Sequence, residues 1–335
     1  MQKHHVITRC TLLLLLLSSL FVMTSSSKRF TIFMIGDSTM ANKDIKKGPE
    51  RGWGMVLQGF FTENVLVDNH ALNGRSSRSF ILEGHWQKVY DAMKPGDYLV
   101  IQFGHNDEKG KIGDRRHTDP GLTLDDNYRM FIRAAQEKGA TPIVMNAVVR
   151  RNFYKKPDLG VDDESLRNVA YGEELVNSDT LIDTHGNYIL TPRNVALMMR
   201  VPYVDANRVT HDIEQSMGVA ESRKLHMWLK PGEYGVAKGR KDNTHYNVYG
   251  AHVVASHLVD AMAEVCPELK PYVRHYDYIV SASGKGNYMT LQEAVDAVPD
   301  GTSATISVID GTWKKPDIPS GKKIKIVKYS SVVIK

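Results

Sequence analysis

The chain has 335 residues, 42% of them hydrophobic, enough for one large domain plus a smaller segment or for two ordinary domains. Its formal charge is +5 and its two cysteines are Cys10 and Cys266. So few cysteines exclude a disulfide-stapled scaffold. The small positive excess, with no basic stripe interleaved with aromatics, argues against nucleic acid as a partner.

At the N-terminus, Lys3 and Arg9 precede the apolar run Thr11 to Met23, and the small polar stretch Thr24-Ser25-Ser26-Ser27 follows. This is the three-part pattern of a secretory signal peptide, predicted over residues 1–26. The run is shorter than the roughly 20 residues of a spanning helix, so no stable membrane insertion is expected after cleavage. The expected location is secreted or periplasmic. Cleavage would leave Cys266 as the one cysteine and lower the formal charge to about +3, which is compatible with an acidic polysaccharide.

Phe30 to Ile35 reads as a first strand, Trp53 to Phe61 as a helix and Val65 to Asn69 as a second strand. Ser79 to Met93 (helix), Tyr98 to Phe103 (strand), Leu124 to Glu137 (helix) and Pro142 to Val148 (strand) continue the alternation. Residues 150–188 are polar and read as an insertion over the sheet. Tyr203 to Ala206 reads as a last short strand, with helical segments at Val209 to Met217 and Ala220 to Trp228. A loop from Lys230 to His245 leads into a closing helix, Val248 to Val265, whose apolar face is Val254, Leu258, Ala261 and Val265. Strands alternating with helices predict an α/β fold, a three-layer α/β/α sandwich around a mostly parallel sheet.

Polar motifs fall where such a sheet gathers ligands, beyond the carboxyl ends of its strands. Gly36-Asp37-Ser38-Thr39-Met40 follows the first strand, Asn73-Gly74-Arg75-Ser76-Ser77 the second, and Gly104-His105-Asn106-Asp107 the third. Asp242-Asn243-Thr244-His245 precedes the closing helix. A serine hydroxyl is a poor nucleophile near neutral pH and needs a base that is itself oriented by a third group. His245 can serve Ser38 as that base and Asp242 can orient it. Ester hydrolysis also needs preorganised donors for a tetrahedral oxyanion, which the amides of Ser38 and Gly74 and the side chain of Asn106 can supply. Each piece has a plainer reading: Gly-Asp-Ser as a polar turn, His245 as a loop histidine, Gly74 as a turn glycine. Asp37 and Asp107 fit loop-fixing carboxylates. Arg75, Arg78 and Trp53 fit either a sugar cleft or, respectively, ion pairs and the core, and His105 fits either a substrate contact or packing beside Asn106.

The four blocks, in this order, resemble those of the SGNH (GDSL-like) hydrolase superfamily. Within it, Gly36 to Met40, Asn73 to Phe80 and Asp183-Thr184-His185-Gly186-Asn187-Tyr188 resemble rhamnogalacturonan acetylesterases. The resemblance spans about residues 29 to 270, within a domain placed at 28–272. It implies a flavodoxin-like fold, Ser38 as nucleophile, His245 as base, Asp242 as its orienter, and Ser38, Gly74 and Asn106 as the oxyanion hole. Arg75 and His105 are carried as substrate contacts, no metal or other cofactor is called for, and acetylated pectic polysaccharide is the expected substrate. The nearest alternatives are an acetylxylan esterase or a general carbohydrate or lipase-like esterase. A metal phosphoesterase drawn on Asp37, Asp107, Asp242, His105 and His245 is disfavoured, because Thr39 and Met40 stand where such sites carry a second ligand and His105 precedes Asn106.

Residues 278–335 change character. Ile279 to Pro299 resembles the opening of pectin methylesterases, a strand and helix capping a right-handed parallel β-helix, with short strands expected at Ile306 to Ile309 and Ile324 to Val327. That family's catalytic region has no counterpart here, so no methylesterase activity is expected, and a longer two-enzyme protein is the expected origin. The sequence leaves the oligomeric state open.

Overall fold

The computed structural model describes residues 28–155 and 176–335, so the predicted signal peptide and the middle of the 150–188 insertion lie outside the described residues. Five strands form one sheet: β1 (Phe30–Gly36), β2 (Val65–Asn69), β3 (Tyr98–Gln102), β4 (Thr141–Met145) and β5 (Tyr203–Val204). Their spatial order is β2-β1-β3-β4-β5 and every neighbouring pair is parallel. This is a doubly wound order, and its reversal point lies between β1 and β3.

Side-chain alternation along the strands fills two cores, one on each face. Ile32, Met34, Val100, Ile143 and Met145 pack towards one face, against Val254, Ala255, Leu258, Val259 and Met262 of helix α7 (Val248–Val265). Phe33, Ile35, Leu99, Ile101 and Val144 pack towards the other, against Leu124, Tyr128, Phe131 and Ile132 of α4 (Thr123–Glu137). A strand apolar on both faces can be buried only between two helical layers, which is why these runs read as near-continuous hydrophobics.

The remaining helices among the described residues are α1 (Trp53–Val56), α2 (Ser77–Leu82), α3 (His85–Ala92), α5 (Leu190–Met199), α6 (Ala206–Glu221) and α8 (Leu291–Ala297). Several boundaries differ from expectation. The helix expected over 79–93 is two, divided where Gly84 adopts φ 75°. It also begins earlier, because Ser76 caps α2 by accepting from the Ser79 amide at 3.1 Å while the Ser79 hydroxyl accepts from the Ser76 amide. The helix expected at 53–61 relaxes into a 3-10 turn after Val56. The two expected between 209 and 228 form one helix broken at Gly218, followed by a 3-10 turn. The flanks of the insertion are not a surface excursion: Arg150, Arg151, Phe153, Leu181 and His185 are all buried.

Beyond Tyr272 come β6 (Tyr278–Val280), β7 (Ser303–Val308), β8 (Thr312–Trp313), β9 (Lys323–Lys328) and β10 (Val333–Ile334). β6, β7 and β9 form a parallel sheet in the order β9-β7-β6, and β8 pairs in parallel with β10. Val280, Leu291, Val295, Ile306, Val308 and Val332 give this segment a core of its own. It packs on the main sheet's domain: Ile279 and Ile309 join that domain's core, and the Tyr329 hydroxyl donates to the carbonyls of Gln58 and Phe61 at 3.0 and 2.7 Å.

Candidate active site

The site is built at the carboxyl edge of the sheet from three strand-ending turns and one loop. β1 ends at Gly36, where an added Cβ would lie 2.6 Å from the Gln102 carbonyl, so only glycine lets the chain turn here against β3. The turn is closed by the Met40 and Ala41 amides on the Asp37 carbonyl, at 3.3 and 3.0 Å. Asp37 Oδ1 accepts from the Thr39 amide at 2.9 Å and the Thr39 hydroxyl at 2.8 Å. Beneath it, Gln102 donates to Thr39 Oγ1 at 3.1 Å and accepts from the indole N–H of Trp53 at 2.7 Å. Trp53, fully buried, is thus a core residue and not a sugar platform.

Ser38 stands on this turn with its Oγ 2.8 Å from His245 Nε2. His245 Nδ1 lies 2.8 Å from Asp242 Oδ2, and Asp242 Oδ1 accepts from the backbone amides of Thr244 and His245 at 3.0 and 2.9 Å. With Nδ1–H donating to the carboxylate, Nε2 is left to accept from the serine hydroxyl. Burial would raise the Asp242 carboxyl, but the His245 and Arg240 contacts outweigh it and hold the group well below the usual carboxylate range. An ionised carboxylate in that position keeps the imidazole in one tautomer and favours its protonated form when it takes a proton.

The oxyanion candidates lie on neighbouring turns. Gly74 has φ +74°, and an added Cβ there would meet nothing within 4 Å, so its backbone borders the open cleft. Asn106 Nδ2 donates to the Arg75 carbonyl at 3.2 Å, which ties the third turn to the second. Asp107 reinforces the tie, accepting from the Ser77 amide at 3.0 Å, the Ser77 hydroxyl at 2.5 Å and the Thr118 hydroxyl at 3.1 Å. Burial pushes its carboxyl up to about 7, these donors offsetting only part of the desolvation. Asp37 and Asp107 therefore serve as struts for their loops.

The two residues carried as substrate contacts fare differently. Arg75 lines, with Gly74, Glu83, Arg115 and Arg116, a cavity of about 360 Å³ that neither Ser38 nor His245 lines, and its guanidinium is engaged by Glu83 Oε2 at 2.9 Å and the Asn73 carbonyl at 3.0 Å. His105 is buried, with 3% of its surface exposed, Nδ1 facing Asp37 at 3.5 Å and its ring packed edge-on against His185. Burial drives the imidazole down to about 4, so it is neutral near pH 7 and forms part of the floor rather than a wall a substrate can touch. The motif at 183–188 lies behind this floor. His185 Nδ1 is 2.9 Å from Glu108 Oε2, and Glu108 also pairs with Arg150.

Asp37, Asp107 and Asp242 each face separate partners, and among the described residues no three His, Cys, Asp or Glu side chains gather as a ligand set. Sequence reasoning missed the polar residues that hold the site, Gln102, Thr39 and Arg240 among them. A polar residue ending an otherwise apolar strand, as Gln102 ends β3, was the signal available.

A parallel doubly wound sheet with a serine, imidazole and carboxylate in hydrogen-bonded sequence at its carboxyl edge is the architecture of a serine-type ester hydrolase. The comparisons agree. Residues 34–251 match the GDSL-like Lipase/Acylhydrolase family, and the chain belongs to it. It is a carboxylic ester hydrolase. It is 34% identical over 259 residues to rhamnogalacturonan acetylesterase RhgT of Bacillus subtilis (strain 168), an alignment covering 77% of this chain and 97% of that one. Over 247 residues it is 27% identical to the rhamnogalacturonan acetylesterase of Emericella nidulans, covering 73% of this chain and 89% of the relative. A crystal structure of the YxiM protein of Bacillus subtilis superposes with a TM-score of 0.53 at 22% identity, over 71% of this chain and 57% of that one, a likeness of fold.

Proposed function

We propose that this protein removes acetyl groups from a pectic polysaccharide of the rhamnogalacturonan type, through an acetyl-serine intermediate on Ser38. The observation that carries the chemistry is the unbroken contact from Ser38 Oγ to His245 and on to Asp242, 2.8 Å at each step. In the reading, His245 Nε2 takes the Ser38 proton as Oγ attacks the acetyl carbonyl. The oxyanion is met by the amides of Ser38 and Gly74 and by Asn106. The imidazolium returns the proton to the departing sugar hydroxyl, and a water activated by the same imidazole then hydrolyses the acetyl-enzyme. The substrate class rests on the identity with two proteins named rhamnogalacturonan acetylesterases.

Two further elements belong to this reading. Residues 1–26 act as a signal peptide that exports the enzyme to where polysaccharide is found, and residues 278–335 form a pectin methylesterase-like parallel β-helix segment that follows the hydrolase domain at 28–272 and packs on it. Parallel pairing of β6, β7 and β9 and of β8 with β10 supports the second.

The test is acetate release from acetylated rhamnogalacturonan, acetylated xylan and an aryl acetate by the wild-type chain and by Ser38→Ala. Pectic release abolished by the substitution is expected. Ser38-dependent turnover of xylan or aryl ester alone would keep the mechanism and replace the substrate, and no Ser38-dependent release would end the esterase reading.

A further inference from the structure

The polar chain that begins at Ser38 does not stop at Asp242. Arg240 donates Nε to Asp242 Oδ2 at 3.1 Å, adds a second contact from Nη2, and turns Nη1 to Glu50 Oε2 at 2.7 Å. Glu50 Oε1 lies 2.8 Å from Lys43 Nζ, and the same ammonium donates to Asn73 Oδ1 at 2.7 Å, one residue before Gly74. The run therefore joins the loop that carries His245 to the turn that carries an oxyanion candidate. The backbone builds it deliberately. A two-residue antiparallel ribbon pairs Glu50 with Asn247 and Arg51 with Tyr246, which sets Glu50 beside the chain leaving His245. Arg240 is fixed by reciprocal 2.9 Å bonds with Leu229. The Lys43 side chain is only 6% exposed, an unusual place for an ammonium unless a carboxylate meets it there.

We propose that Lys43, Glu50 and Arg240 are positioning residues, a chain of alternating charge that holds Asp242 and the Asn73-Gly74 turn in one register and sets the electrostatic surroundings of His245. The proposal rests on the roles given above to Ser38 and His245. The charged and titratable groups around His245 are Asp242 and Arg240 on its own loop and Glu50 from the ribbon, with Asp37 beside Ser38 on the nucleophile turn and Lys43 beyond Glu50. Two cations and two anions balance along Lys43, Glu50, Arg240 and Asp242. Removing one of them leaves a net charge of known sign beside the imidazole.

The signs differ between variants. Without Arg240, Glu50 and Asp242 are under-compensated, the imidazolium is favoured, and the acid limb of kcat/KM moves to higher pH. Without the Glu50 charge, Arg240 and Lys43 are under-compensated and the limb moves to lower pH. A part that only shaped the loop would lower activity in both variants without opposite movements.

The experiment is kcat/KM against pH on an aryl acetate for the wild-type chain and for Arg240→Gln, Glu50→Gln, Arg240→Lys and Glu50→Asp. Expected are displacements of about 0.5–1 pH unit, upward for Arg240→Gln and downward for Glu50→Gln, with both charge-preserving variants close to wild type in pH profile. Should Arg240→Gln not fold, the Glu50 pair carries the test. No displacement, or displacement of both neutral variants in one direction, overturns the proposal while leaving the esterase reading intact. Absence of Ser38-dependent turnover in the wild type would overturn both.

Discussion

Asp242 and Asp107 are both buried aspartates within a few ångströms of the cleft machinery, one at the histidine end and one at the end of the Gly74 and Asn106 turns, and their surroundings give them opposite character. Asp242 meets an arginine and an imidazole and is held well below the usual carboxylate range, although burial works against it. Asp107 meets two hydroxyls and an amide, and burial pushes it up to about 7. A carboxylate that must balance an imidazolium during turnover needs cations close by. One that only ties two turns together can be served by neutral donors.

The strongest break of this comparison is Asp242→Asn. The amide cannot accept the Nδ1 proton in the same way and offers no charge to the imidazolium, so kcat/KM should fall by about 10⁴-fold. Steady-state rates on an aryl acetate, taken where urea unfolding shows the variant fully folded despite the charge it leaves uncompensated on Arg240, check it; a loss under tenfold would mean Asp242 is a strut like Asp107.

Asp107→Asn should act on stability and on its pH dependence. Because the folded-state pKa is raised, Asp107 binds its proton more tightly folded than unfolded. Its contribution is therefore full below about pH 4 and is lost as pH rises towards 7. The wild type should lose on the order of 4 kcal/mol relative to Asp107→Asn across that window, read by urea unfolding at pH 4 and pH 7. Glu108 supplies the contrary sign. Against burial, His185 and Arg150 hold it at about 2, so its contribution is present above about pH 4.5 and disappears as pH falls towards 2. Glu108→Gln should remove about 3 kcal/mol of acid sensitivity.

The sheet was legible because each core strand is a short apolar run, and burial between two layers requires that pattern. α7 was legible to the residue, since Asn247 caps it by accepting from the Gly250 amide at 2.9 Å and no glycine interrupts the rest of it. The Ser38, His245 and Asp242 arrangement was also legible, because Ser38 stands just past an apolar strand and Asp242 and His245 stand three residues apart on the polar loop entering α7. What could not be read were contacts between distant segments. Nothing in Glu50 or Lys43 points to Arg240, 190 residues from Glu50, because pairing across a ribbon of two residues has no periodicity to reveal it. His105 misled for a related reason: its burial depends on His185, which arrives from the far side of the insertion.

The smallest effect concerns how firmly the nucleophile turn depends on the core below it. Trp53→Phe keeps an aromatic ring but loses the second ring of the indole at a fully buried position, and it deletes the N–H that serves Gln102 Oε1, leaving a small cavity and a buried acceptor without its partner. That should cost about 2–4 kcal/mol of stability. Catalysis should change far less, because the Thr39 amide and hydroxyl still hold Asp37 Oδ1 directly, and the Gln102 contact to Thr39 is a second support rather than the first. Urea unfolding with kcat/KM on one preparation separates the two quantities. A stability loss with less than about threefold change in rate is expected. A rate loss above tenfold would mean that the turn takes its geometry from the Trp53-Gln102 pair, and that the nucleophile end needs an external buttress as much as the histidine end does.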